Sequence, residues 1–189
     1  GAEYAVNLLY KDYSTDYEKL DMSALLDSVD AAKALKPDII LVMLHWGSEA
    51  TLEPTRTQES IAKQLFERGA DAIIGSHSHL VGRMETMDIT TDDGKEKTCF
   101  VAYSLGNFGG GGVFGKDPAT RYGAYLSIRM RADGAVVAGQ VRSVRFDYAD
   151  GIPLPDPAGG AAQLMDQRGR RDFGANAVTV GADGAITMP

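Results

Sequence analysis

The sequence predicts an α/β domain in which a parallel βαβ unit is followed by antiparallel hairpins. Three observations carry this. Two short apolar runs, residues 39–44 and 72–74, flank a stretch whose apolar residues recur at helical spacing. Beyond residue 83 the pattern changes to strand-like segments around Asp-Gly turns at Asp93-Gly94, Asp133-Gly134 and Asp183-Gly184. Each apolar run also leads into histidine, His45 after the first and His77 and His79 just after the second.

Taken in order, residues 4–10 are short and rich in strand formers and read as a strand. A polar loop follows, with Asp21 as candidate N-cap. Met22, Leu25, Leu26, Val29, Ala32 and Leu35 then predict a helix that stops before Pro37. The run at 39–44 has the continuous apolar character of a strand covered on both faces. Thr55 and Gln58 form a candidate capping box; Ile61, Ala62, Leu65 and Phe66 give the buried face of the next helix, and Gly69 its stop. Residues 83–90 and 98–103 predict a hairpin, 122–131 and 135–148 a second. Residues 163–171 suggest a short helix, and 178–180 with 185–188 a last small hairpin. The Pro- and Gly-rich stretch at 150–160 marks a boundary, giving a main portion at 1–150 and a C-terminal extension at 151–189.

With 189 residues, 44% apolar and 24% charged, the chain can bury one sizeable core. Its formal net charge of −7, with no basic cluster, excludes nucleic acid as the expected partner. Cys99 is the only cysteine, so no intramolecular disulfide is possible, and its strand context reads as a small buried hydrophobe rather than a nucleophile. No apolar run reaches the ~18–20 residues of a membrane span. The sequence does not begin with methionine, so the lack of a targeting segment is uninformative.

The chain has three histidines, and all of them follow predicted strands. Strand ends in α/β domains are where ligand chemistry collects, and imidazole is the commonest metal ligand. An isolated H-x-H is more often a solvated loop. Here the preceding buried strand and the matching position of His45 favour a shared metal site at one sheet edge. On extended backbone, residues two apart point to one side, which would aim His77 and His79 together. Glu49 reads equally as a proton acceptor for a histidine ring or as a solvated side chain. Trp46 reads as a packing wall, and Asn107 as a donor behind the ligands or a turn residue. The glycines at 109–112 read as a connector, since a P-loop's Lys and Ser/Thr are missing. Two-metal hydrolytic sites need a bridging carboxylate, and no D-x-H, G-D or N-H-[DE] cluster is present. A single His₃ site with an open position remains chemically sound.

His45-Trp46-Gly47 with Glu49, Gly75-Ser76-His77-Ser78-His79, and Tyr103-Ser104-Leu105-Gly106-Asn107-Phe108 resemble successive motifs of the bacterial capsule synthesis (CapA) family of poly-γ-glutamate biosynthesis. Gln58, Leu65, Gly69-Ala70-Asp71 and Ile74 fit the same pattern, and Ser78 stands where the family usually has proline. The resemblance implies part of a four-layer α/β/β/α metallophosphoesterase-like sandwich. It implies divalent metal of the Mn, Zn or Fe class, dinuclear in the full-length protein, with His77 and His45 serving one ion and His79 the other. Glu49 and Asn107 would be its catalytic residues. The upstream aspartate and Asn-Asn-His motifs have no counterpart here, so the chain resembles the C-terminal portion of a longer protein.

Two readings follow. One is a metal-dependent hydrolase acting on an anionic cell-surface polymer or its precursor. The other is a non-catalytic accessory or binding component of polymer synthesis and export. Both place the parent protein outside the cytoplasm, at the cell surface or anchored to the membrane. Both expect the missing N-terminal half as a partner, with self-association of the fragment covering open strand edges. A TIM-barrel amidohydrolase is the weaker alternative, because that fold needs about 250 residues.

Overall fold

Asp71 organises the first sheet. This buried carboxylate precedes β2 (Ala72–Ser76) and accepts the Ile40 backbone N–H at 2.6 Å, at the entry to β1 (Leu41–His45). Its other oxygen pairs with Lys97 of β4 (Glu96–Ala102), and its backbone bonds Ile40 on one side and Phe100 on the other. One residue thereby aligns three strands. The register runs Leu41 opposite Ala72 through to His45 opposite Ser76, and β2 is also parallel to β4. β3 (Met84–Thr90) completes the sheet antiparallel to β4, in the order β1-β2-β4-β3.

The structure is a computed structural model that describes residues 22–108, 118–146 and 151–189. The strand expected at 4–10, the Asp21 cap and the glycine connector at 109–112 lie outside these residues. α1 (Ser23–Ala34) and α2 (Arg56–Arg68) cover one face of the first sheet. The capping box at α2 is formed: Thr55 Oγ1 accepts the Gln58 N–H, and Gln58 Oε1 accepts the Thr55 N–H. Ile61, Ala62, Leu65 and Phe66 pack there with Val29, Ile73, Val101 and Cys99. The parallel βαβ unit and the hairpins are thus as the sequence predicts.

The other sheet face, with Ala72, Met84, Phe100 and Ala102, belongs to a second core shared with Ala124 and Val141. Those come from β5 (Tyr122–Met130) and β6 (Val136–Phe146) of a second sheet. β9 (Ala185–Thr187) and β8 (Thr179–Val180) continue that sheet in the order β5-β6-β9-β8, and β7 (Pro153–Pro155) pairs with the end of β6. α3 (Gly160–Phe173) packs against β6, β8 and β5 and reaches β3. Residues 151–189, set apart in the sequence by their Pro and Gly content, therefore share the sheet and core of β5 and β6. The helix is longer than the 163–171 expected, because Ala161 and Ala162 are buried and Asp156 receives the Gly160 N–H at its start.

Ion pairs fasten these layers. Arg83 bonds Glu59 of α2 at 2.8 Å and Asp172 of α3 at 3.0 Å, with its guanidinium 4.5 Å from the Phe173 ring centroid. The turn between β5 and β6 touches Asp71 itself. Gly134 has φ of +87°, and a Cβ there would lie 1.7 Å from Asp71 Oδ1, so only glycine fits.

β1 departs from expectation. Among the described residues it is an edge strand, with Leu41 43% and Met43 76% exposed, whereas its apolar run predicts cover on both faces. Leu44 and Val42 turn inward to the α1/α2 core, and the alternate residues face away from it.

Asp71→Ala should lower stability in urea by about 3 kcal/mol or more, because it leaves the Lys97 ammonium without its buried carboxylate and the Ile40 N–H without its acceptor. A change below ~1 kcal/mol would contradict the central role given to Asp71.

Candidate metal centre

The parallel register brings the C-terminal ends of β1 and β2 side by side, and the histidines meet there. The His45 and His77 ring centroids are 4.5 Å apart, tilted by 53°, and those of His77 and His79 are 6.3 Å apart. The main-chain pairing continues past the strands: Trp46 N–H donates to the Ser76 carbonyl and Ala50 N–H to that of Ser78. The loop after β1 is thereby laced to the loop after β2.

The route by which His77 and His79 converge differs from the expected one. β2 ends at Ser76, and both histidines have positive φ, +107° for His77 and +61° for His79. A turn, not strand alternation, aims them. Such backbone costs of order 1–3 kcal/mol per residue and persists where surrounding contacts impose it, commonly at functional sites. Here the contacts are the Ala50–Ser78 bond and a 3.3 Å bond from Asn107 Nδ2 to the His79 carbonyl.

Two rings have assigned orientations. The Ser76 hydroxyl donates to the Leu44 carbonyl at 3.3 Å, so its oxygen is left to accept from His45 Nδ1 at 3.1 Å. Asn107 donates from Nδ2 to the carbonyls of His79 and Thr120, which turns its Oδ1 toward His79 Nδ1 at 2.7 Å. Both imidazoles then carry their proton on Nδ1, a tautomer in which metal-binding histidines are found. Toward the ring Asn107 is an acceptor, while the sequence offered it as a donor behind the ligands or a turn residue. Ser76 was not singled out from sequence. Its place opposite His45 could have been found by aligning the two strand ends.

Burial lowers the His45 pKa first, and the neighbouring His77 and His79 lower it further, against an opposing pull from Glu49. The neutral, coordinating form is thereby favoured. Glu49 Oε1 lies 3.8 Å from His79 Nε2, on a side chain that is 70% exposed. It is within reach of the cluster but not fixed in it. Among the described residues, no three His, Cys, Asp or Glu side chains are placed so as to hold a metal ion together. The donor set suits a divalent ion in its chemistry, three imidazoles with Nδ1 of His45 and of His79 each tied to a neutral oxygen, while the rings as placed do not form a metal-holding group.

Fold and site define an α/β protein with a histidine cluster at the C-terminal edge of parallel strands. Residues 3–111 match the family described as bacterial capsule synthesis protein PGA_cap, and the chain belongs to that family. It is 29% identical over 140 residues to the "Capsule biosynthesis protein CapA" of Bacillus anthracis, covering 72% of this chain and 30% of the relative. It is 29% identical over 119 residues to the "PGA biosynthesis protein CapA" of Bacillus subtilis (strain 168), covering 62% of this chain and 27% of the relative. The chain thus spans less than a third of the length of these relatives.

The lowered His45 pKa has a signed consequence. The unfolded chain takes up this proton at a higher pH than the folded one, so stability falls as pH drops below about 6.5 and levels off below the folded pKa. Proton NMR should place the His45 midpoint below that ordinary value; a midpoint above it would contradict the assignment. Asn107→Ala should cost about 2 kcal/mol in urea denaturation, since it removes a buried side chain bonded to His79 and to the Thr120 carbonyl.

Proposed function

We propose that this chain supplies the histidine half of a metal-dependent, phosphoesterase-like hydrolytic centre used in capsule or poly-γ-glutamate biosynthesis. The observation that carries this reading is the clustering of His45, His77 and His79 at one sheet edge, with Nδ1 of His45 and of His79 each tied to a neutral oxygen. In this reading the two faced sheets and the α1/α2 layer are part of a four-layer α/β/β/α sandwich. The main portion at 1–150 is extended by 151–189, which complete the second sheet.

His45 and His77 would hold one divalent ion of the Mn, Zn or Fe class, and His79 a second in the longer protein. Such an ion, when bound, polarises an oxygen of the scissile group and lowers the barrier to its displacement. The chain's own residues do the rest. Asn107 and Ser76 hold the rings in the coordinating tautomer. Glu49, 3.8 Å from His79 Nε2, can accept a proton released at the site. Burial and mutual repulsion keep His45 neutral.

Glu49, the carboxylate near His79, is exposed and not fixed between the rings, so a carboxylate that bridges two cations would come from elsewhere. In this reading an upstream part of the parent protein supplies it, in keeping with a chain that spans 30% and 27% of its two relatives. That upstream part also covers the exposed Leu41 and Met43 of β1, and without it a second copy of the fragment would do so. The substrate would be an anionic cell-surface polymer or its precursor, handled outside the cytoplasm. No helix among the described residues is long and apolar enough to cross a membrane. The exposure of Glu49 favours one second reading, a non-catalytic component that retains metal for binding or assembly.

The test compares this chain with the protein extended on its N-terminal side. The chain alone should bind one divalent ion, more weakly below about pH 6 as imidazoles protonate, and His79→Ala should weaken that binding. It should not turn over an aryl phosphodiester with manganese or zinc. Metal-dependent turnover by the chain alone, abolished by His79→Ala, would overturn the need for upstream ligands. Activity in the extended protein supports the hydrolase, and inactivity in both supports the accessory component.

A further inference from the structure

We infer that Trp46 is a positioning residue that sets His45 against His77, acting through the main-chain carbonyl of Tyr103. The inference deepens the metal-centre reading and rests on it for the role of the rings. Trp46 directly follows His45 and, by strand alternation, turns to the opposite face, where it is 4% exposed among α1/α2 core residues. Its indole Nε1–H donates to the Tyr103 carbonyl at 3.0 Å, and the indole stacks on the Tyr103 ring at 5.8 Å and 15°.

This bond joins strands that are not neighbours. β1 and β4 lie on either side of β2, so a side chain from one must cross β2 to reach the other. It crosses at Gly75. A Cβ on Gly75 would lie 2.4 Å from Trp46 Nε1 and 2.1 Å from the Tyr103 oxygen, so the missing side chain opens the path. The anchor is itself held. The Tyr103 hydroxyl donates to the buried Glu85 carboxylate, and the Arg83 guanidinium stands 5.5 Å from the Tyr103 ring centroid.

Both arms of the histidine cluster lead to this junction. On one side Trp46 fixes the residue that carries His45. On the other, Leu105 N–H bonds the Gly75 carbonyl just after Tyr103, and Asn107 two residues later holds His79. An indole suits the task because its two-torsion side chain is stiff and its buried N–H demands an acceptor. Phenylalanine would fill much of the volume but leave the Tyr103 carbonyl without its donor.

The test uses the 189-residue chain, which has one tryptophan and three histidines, so the indole and imidazole NMR signals are few and assignable. Wild type, Trp46→Phe and the second-core variant Ile186→Val are compared for the His45–His77 ring-to-ring NOE and for affinity toward cobalt(II) alone. Trp46→Phe should lose the NOE and about tenfold in cobalt affinity. Ile186→Val should keep both even where its melting temperature falls as far. An NOE and affinity unchanged in Trp46→Phe would overturn the inference. If the wild type binds no cobalt, the metal reading fails, and the NOE still decides the role of Trp46. If Trp46→Phe does not fold, hydrogen exchange of the wild-type indole N–H decides. Protection equal to the amides of β2 and β4 supports the bond, and exchange as fast as an exposed indole refutes it.

Discussion

A single buried carboxylate sets the frame on which everything else rests. Asp71 contacts the entry to β1, the Lys97 ammonium on β4 and the tight turn of the second sheet. A one-residue slip between parallel strands exchanges the faces of every side chain. Pinning the register at the N-terminal ends therefore decides what lies opposite what at the far ends. His45 stands beside Ser76 because Ile40 is bonded to Asp71.

The site at those far ends combines strain with restraint. His77 and His79 adopt positive φ in a segment bonded on both sides, to Ala50 and to Asn107. Burial first, and then the neighbouring His77 and His79, lower the His45 pKa. A cluster of imidazoles beside one exposed carboxylate is suited to a cation and poorly suited to an anion.

Much of the frame was legible in the sequence. The capping box at Thr55 and Gln58, the Asp-Gly turns and the meeting of His45 with His77 all follow from local chemistry or from strand order. What was hidden depends on contacts distant in sequence. The exposure of β1 could not be read from its apolar run, because periodicity does not say whether a neighbouring layer is present. The sharp turn through His77 and His79 was hidden because H-x-H is compatible with both strand and bend. The acceptor role of Asn107 toward the His79 ring is set by the Thr120 and His79 carbonyls, which claim its amide protons. The place of α3 in the second core was masked by the Pro- and Gly-rich approach at 150–160, which reads as a boundary.

The clasp of Arg83 on Asp172 spans 89 residues of chain. On a ribosome, Arg83 emerges long before Asp172 does. At about 5–20 residues per second, the apolar face of Ala72, Phe100 and Ala102 waits several seconds for α3 and β9 to arrive. The histidine-bearing sheet and its two helices can assemble in that interval from contacts close in sequence, while the second core waits for pairings of high contact order. Vectorial synthesis therefore leaves a window in which the exposed face is open to chaperone capture or misassociation, and closure of the Arg83 clasp marks its end.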